Sequence, residues 1–132
     1  MIWRGLFAGS AWLMMSAVAP AAEIDCPTSG YDKVGNLLTA APSCDASMKL
    51  LLACQLGSSG DVALAEIVIK KCEAMFLSTL SKTARRAYDR KVGACGRELA
   101  NESGTLYQSI RAICAAEAAH TYAARAGKNP KP

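Results

Sequence analysis

Between residues 45 and 125 apolar side chains return every three or four positions, the period of a helix with one buried side. The strict apolar–polar alternation of a half-buried strand is missing. Four segments carry the helical pattern. DASMKLLLACQL, near 45–56, is apolar nearly all round, which predicts the most buried helix, opened by Asp45 and stopped at Gly57. DVALAEIVIKKCEAMFLSTL, near 61–80, sets Val62, Ala65, Ile69, Cys72, Met75, Phe76 and Leu80 on one stripe, with Asp61 as N-cap. KTARRAYDRKVGACGREL, near 82–99, follows a capping Ser81 and turns Ala84, Tyr88, Val92, Cys95 and Leu99 inward. TLYQSIRAICAAEAAHTYAAR, near 105–125, starts on a T-x-x-Q capping box of Thr105 and Gln108. It aligns Leu106, Ile110, Ile113, Cys114, Glu117 and Thr121 along one side.

The flanks break the pattern. Residues 22–43 contain two prolines, two glycines and many turn formers, and are read as an irregular N-terminal arm with a helical turn at Asn36 to Ala40. Residues 127–132 form a polar tail without a core face, expected to be disordered. The expected fold is therefore all-α: a small antiparallel bundle of about four helices over 44–126, stapled by disulfides.

Residues 1–21 read differently again. Arg4 gives a short positive region, Gly5 to Val18 is an uncharged apolar run, and Ala19-Pro20-Ala21 supplies small residues for cleavage after Ala21 or Ala22. That is the pattern of a secretory signal peptide, and the run is short for a membrane span. The expected location is the periplasm or the exterior, with no stable membrane anchor after cleavage. Loss of Arg4 lowers Lys+Arg from 15 to 14 against 11 acids, a net charge of +3. This mild excess does not argue for nucleic acid. Arg85, Arg86, Arg90, Lys91 and Arg97 spread over one helix, but Asp89 and Glu98 interrupt them, as on a solvated face.

Six cysteines, Cys26, Cys44, Cys54, Cys72, Cys95 and Cys114, all follow the cleavage point. An even count in a short exported chain reads as a disulfide framework. There is no CxxC, and the single histidine, His120, stands apart from any cysteine pair, so neither a metal nor another cofactor is implied. If 82–99 and 105–125 make a hairpin, Cys95 lies about eight residues before its turn and Cys114 about nine after, at equal depth for a rise of ~1.5 Å per residue. That predicts Cys95–Cys114. Gly93 and Gly96, flanking Cys95, suggest close approach of another backbone. The other four cysteines allow Cys44–Cys72 with Cys26–Cys54, or Cys44–Cys54 with Cys26–Cys72.

The order Cys44-x9-Cys54, a helix, AYDR leading to Cys95, the turn ESGT, Cys114, and HTYAAR with Thr121 and Arg125 resembles the lysozyme-inhibitor LprI-like family. The resemblance spans 44–126 and implies a small exported, disulfide-bonded helical protein. The chain departs from the family pattern in three places. KLLLAC lacks a Glu before the cysteine, the turn has a single glycine, and the Thr-to-Arg step is one residue longer.

What the resemblance implies is a non-catalytic envelope protein whose partner is a protein, a lysozyme among the candidates. The candidate partner-binding loop is Asn101, Glu102, Ser103, Gly104 and Thr105, with Glu102 placed to meet a basic group. Turn formation and capping explain the same residues structurally. An immunity-type protein against a secreted toxin, or a structural envelope protein, would carry the same features. No enzyme is implied: His120, Ser109, Glu102 and Glu117 show no arranged partner, and Tyr88, Tyr107 and Tyr122 read as helix-packing aromatics.

Overall fold

The computed structural model describes residues 24–128; the signal-peptide reading falls outside that range, as does the end of the tail from residue 129. The described residues form five α-helices and one 3-10 turn, with no strand among them. They are α1 (Tyr31–Ala40), α2 (Cys44–Cys54), α3 (Gly60–Glu73), α4 (Lys82–Arg97) and α5 (Thr105–Lys128), with the 3-10 turn at Leu77–Thr79. The chain is an all-α, disulfide-stapled helical protein. Helix α3 is central, packing most extensively on α5 and also on α1 and α2, while α4 leans chiefly on α5.

The arm is more ordered than expected: the helical turn read at Asn36 to Ala40 is the second half of α1, while residues 24–30 and 41–43 are irregular. The helix starts after Gly30, whose φ of 95° suits glycine, and ends at Ala40, with Ala41 extended before Pro42. Val34 and Leu38, one turn apart, are buried. Ser47 and Lys71 satisfy the end of the helix from outside it. The Ser47 hydroxyl donates to the Leu38 carbonyl at 3.0 Å, and Lys71 Nζ donates to the carbonyls of Thr39 and Ala41. The prolines and glycines that made this stretch look irregular sit at the ends of α1, except Gly35. There a Cβ would stand 3.7 Å from Leu64 and 3.8 Å from Ile67 of α3, in ordinary contact.

Helix α2 starts one residue early. Ser43, not Asp45, is the N-cap, accepting from the Ala46 N–H at 3.0 Å. It stops at Cys54, ahead of Gly57, and Leu52 is exposed, so α2 is not the most buried helix. That place belongs to α3, whose Asp61, Leu64, Ala65, Val68 and Cys72 are all at 0 % exposure. The expected stripe was set one position off over part of its length: Val62 and Met75 face solvent. Helix α3 also ends at Glu73, and the turn that follows drops Phe76 into the core.

Helix α4 keeps the expected cap, Ser81 accepting from Ala84 N–H at 3.1 Å, and buries Tyr88 and Cys95. Gly93 and Gly96 do not mark a close backbone approach. A Cβ on Gly93 would meet only the Arg97 guanidinium, and one on Gly96 nothing within 4 Å. On α5 the buried seam is Ala112, Ala116, Ala119 and Ala123, with Ser109 and Ile113, whereas Leu106, Ile110, Glu117 and Thr121 are exposed. Small side chains allow α3 and α5 to pack closely along their length. Helix α5 runs on through Gly127 and Lys128, into the segment expected to be tail. At its start, Gln108 N–H donates to the Gly104 carbonyl at 3.3 Å; the side-chain capping box is not formed among the described residues.

The bridges are Cys26–Cys54, Cys44–Cys72 and Cys95–Cys114, with Cα separations of 4.9, 4.8 and 5.8 Å. They tie the arm to the end of α2, the start of α2 to the end of α3, and α4 to α5. Three disulfides fit an oxidising compartment. No described helix is long and apolar enough to cross a membrane.

Phe76, Tyr88 and Tyr122 form an aromatic cluster with ring centroids 5.0 to 5.6 Å apart, and the Arg125 guanidinium lies 5.5 Å from the Tyr122 centroid. Tyr88 Oη donates to Glu73 Oε1 at 2.8 Å. Burial first, and the Glu73 carboxylate second, push the Tyr88 phenol well above its ordinary range. The neutral phenol is thus favoured in the fold. This contribution is intact below the unfolded phenol pKa of about 10 and is lost as pH rises beyond it. Stability of the oxidised protein should fall above that pH. Tyr88→Phe should flatten the fall while leaving a bond of about 1 kcal/mol missing at neutral pH. Urea titrations across the alkaline range would show an unchanged slope if the phenol had no such role.

Candidate functional site

The loop between α4 and α5 is the most exposed of the positions that sequence reading singles out. Asn101, Glu102, Ser103, Gly104 and Thr105 are all exposed. Its backbone is nevertheless fixed. A run of turns carries the chain off α4: Glu98 N–H bonds Ala94, Ala100 N–H bonds Arg97, and Glu102 N–H bonds the Leu99 carbonyl at 3.0 Å. Gly104, at φ 106°, then reverses the chain into α5.

Two restraints brace this loop from below. The Cys95–Cys114 bridge joins its stems. One helical turn nearer the loop, Arg111 reaches across, its guanidinium donating to the Leu99 carbonyl and, at 2.8 Å, to the Glu102 carbonyl. Leu99 is four residues after Cys95 and Arg111 three before Cys114, so bridge and clamp share one side of the hairpin. Arg111 Nε is buried without a hydrogen-bond partner. The Glu102 carboxylate makes no ion pair among the described residues, and projects from a backbone held by its own carbonyl.

Sequence reading reached the loop but missed Arg111. The available signal was its place one turn before Cys114, on the side that faces the turn. Asp61 was read as an N-cap. It lies instead within the first turn of α3, fully buried, and accepts 2.8 Å bonds from the N–H groups of Leu56 and Gly57. The Ser109 hydroxyl of α5 donates to it at 2.6 Å. This carboxylate closes the α2–α3 turn onto α5 beside the loop.

His120 is brought near Asp45, with Nε2 3.0 Å from Oδ1, and Asp45 also pairs with Lys49 at 2.7 Å. Lys49 first, and His120 second, hold the Asp45 carboxyl below the usual carboxylate range. The hollow beside them, lined by Ser43, Met75, His120 and Ala123, holds about 160 Å³. That is below the size of typical small-molecule sites, roughly 300–1,000 Å³. Ser109 is committed to Asp61, so these groups do not converge on one reacting position. The α4 cations are also partly engaged: Arg85 pairs with Asp89 at 3.1 Å, and Arg97 folds back to the Arg90 carbonyl.

Comparison with protein-family models, with curated proteins and with solved structures finds no match to this chain.

Proposed function

We propose that this chain is an exported, non-catalytic binding protein that presents the loop Asn101–Thr105 to a protein partner of the cell envelope, of the lysozyme kind that the family resemblance implies. The observation that carries the reading is the clamp. An exposed loop with a free acidic side chain is held at both carbonyl shoulders by Arg111 and at its stems by a disulfide. Ordering a loop before binding removes part of the entropy that association would otherwise cost, about 0.5–1.5 kcal/mol for each side chain immobilised.

The test is hydrolysis of peptidoglycan by a basic lysozyme in the presence of the oxidised protein. Inhibition should titrate with added protein, and Glu102→Ala should weaken it about tenfold, the factor expected when a charge partner worth ~1.4 kcal/mol is lost. Full hydrolysis under a large excess of inhibitor would refute the lysozyme assignment. Inhibition indifferent to Glu102→Ala and to Arg111→Ala would refute the loop.

A further inference from the structure

Between α3 and the α4–α5 hairpin lies a hollow of about 460 Å³. Val62 of α3, Val92 and Gly96 of α4, and Gln108, Arg111 and Ala112 of α5 stand in its wall. The volume falls within the range of small-molecule sites, roughly 300–1,000 Å³. The wall is mostly apolar, and the Cys95–Cys114 bridge fixes two of its three helices to each other. Gly96 keeps the hollow open. A glycine inside a helix is unfavourable relative to alanine, and close packing is a common reason to keep one. Here a Cβ would meet nothing within 4 Å, so no contact requires the glycine. A side chain at this wall position would instead take up open space.

The charge in the wall selects the ligand. Among the described residues Arg111 is the one charged group that lines the hollow, and it has no ion-pair partner. Both of its clamp bonds leave from Nη2 and end on neutral carbonyls. Nε is buried without a hydrogen-bond partner. Nη1 makes no hydrogen bond among the described residues and is not buried. The guanidinium therefore keeps an uncompensated charge and unused donors beside an apolar wall. Guanidinium is weakly hydrated and matches the geometry of a carboxylate. Their attraction is stronger where apolar side chains displace part of the water.

We infer that this hollow binds a small amphipathic carboxylate, its apolar body against Val62, Val92 and Ala112 and its carboxylate on Arg111. Gln108, three residues before Arg111, shares that face of α5 and supplies an amide donor for the second carboxylate oxygen. An uncharged or cationic ligand would leave Arg111 without a counter-charge. The inference goes beyond the loop reading. The two share Arg111, but binding in the hollow requires no protein at the loop.

The test is a nuclear magnetic resonance titration of the ¹⁵N-labelled oxidised protein with decanoate. Decanol and decylamine, of the same chain length, are the controls. Amide shifts should move at Val62, Val92, Gly96 and Ala112 with decanoate. Decanol should bind about tenfold more weakly, and decylamine more weakly still. Gly96→Leu should fill the hollow and abolish these shifts, while the melting temperature holds or rises because leucine favours the helix. Val62→Glu is a second variant, at an exposed position where the fold should survive. It sets an acid in the wall and should weaken decanoate more than decanol. Decanol binding as tightly as decanoate, undiminished decanoate binding in either folded variant, or no shifts at millimolar decanoate would overturn the inference. So would tighter binding of a leucine-ended tripeptide with a free carboxylate, which would assign the hollow to a chain terminus. None of these outcomes depends on lysozyme inhibition, so the two readings can fail separately.

Discussion

Reducing the three disulfides should remove the cooperative thermal transition of this protein, leaving a chain with residual helix but no fixed core. Two of the bridges close loops with a sequence separation of 28 and one closes a separation of 19. In the chain-entropy account each constrains the unfolded state by roughly 3–4 kcal/mol. The first two loops overlap, so the values do not simply add. Even two of them rival the total stability of a typical domain, about 5–15 kcal/mol. The packing does not replace them, because α5 brings mainly alanines to its seam with α3, and an alanine side chain has little apolar area to bury. Among single bridges, Cys44–Cys72 should matter most. Cys44 and Cys72 are 4 % and 0 % exposed, and serines there would carry hydroxyls into the core. Circular dichroism melts with and without reductant check this. A reduced protein melting within a few degrees of the oxidised one would refute it.

Asp61→Ala should be the most damaging loss of a polar side chain, at about 2–4 kcal/mol. The carboxylate organises three donors: the N–H groups of Leu56 and Gly57 in the α2–α3 turn and the Ser109 hydroxyl on α5. Removing it frees the turn and strands the buried hydroxyl. Asp61→Asn should cost less but still be destabilising, since one amide end would present N–H to a donor. Ser109→Ala should cost about 1 kcal/mol, because the two backbone donors keep their acceptor. The double variant should fall short of the sum, as the two groups share a bond. Urea unfolding of all four proteins decides the matter. An Asp61→Ala cost no larger than that of Ser109→Ala would show that the turn does not rely on the carboxylate.

The helical period was legible because it is local: α2, α3, α4 and α5 each show it, and Ser81 is visible as a cap beside its own helix. Equal depth on either side of the α4–α5 turn gives the Cys95–Cys114 pair that the structure contains; depth matching along alternating helices gives Cys44–Cys72 with Cys26–Cys54, and of the two pairings left open the structure adopts that one. What stayed hidden depends on contacts far apart in sequence. Helix α1 is short and flanked by breakers; its end is completed by Ser47 and Lys71, neither of which its own sequence announces. On α5, reasoning from hydrophobicity placed Leu106 and Ile110 inside. Close packing against α3 selected alanines instead and left the larger side chains on the surface. Asp61 looks like an N-cap from its neighbours, and only Ser109, 48 positions away, reveals its use. In the loop, Gly104 and the turn residues were readable, whereas the Arg111 clamp follows from hairpin geometry.

If the braced α4–α5 loop meets the partner, as we propose, amide hydrogen exchange reads it most directly. Exchange is measured on the oxidised protein alone, on Arg111→Ala, and on the protein with a saturating basic lysozyme. Without a partner, the Leu99 to Gly104 amides should exchange faster in Arg111→Ala than in the wild type, as expected when local opening becomes easier. With lysozyme present, protection should rise at Asn101, Glu102, Ser103, Gly104 and Thr105. Protection that rose only along α4, or a loop whose exchange ignored both lysozyme and the loss of Arg111, would contradict the account.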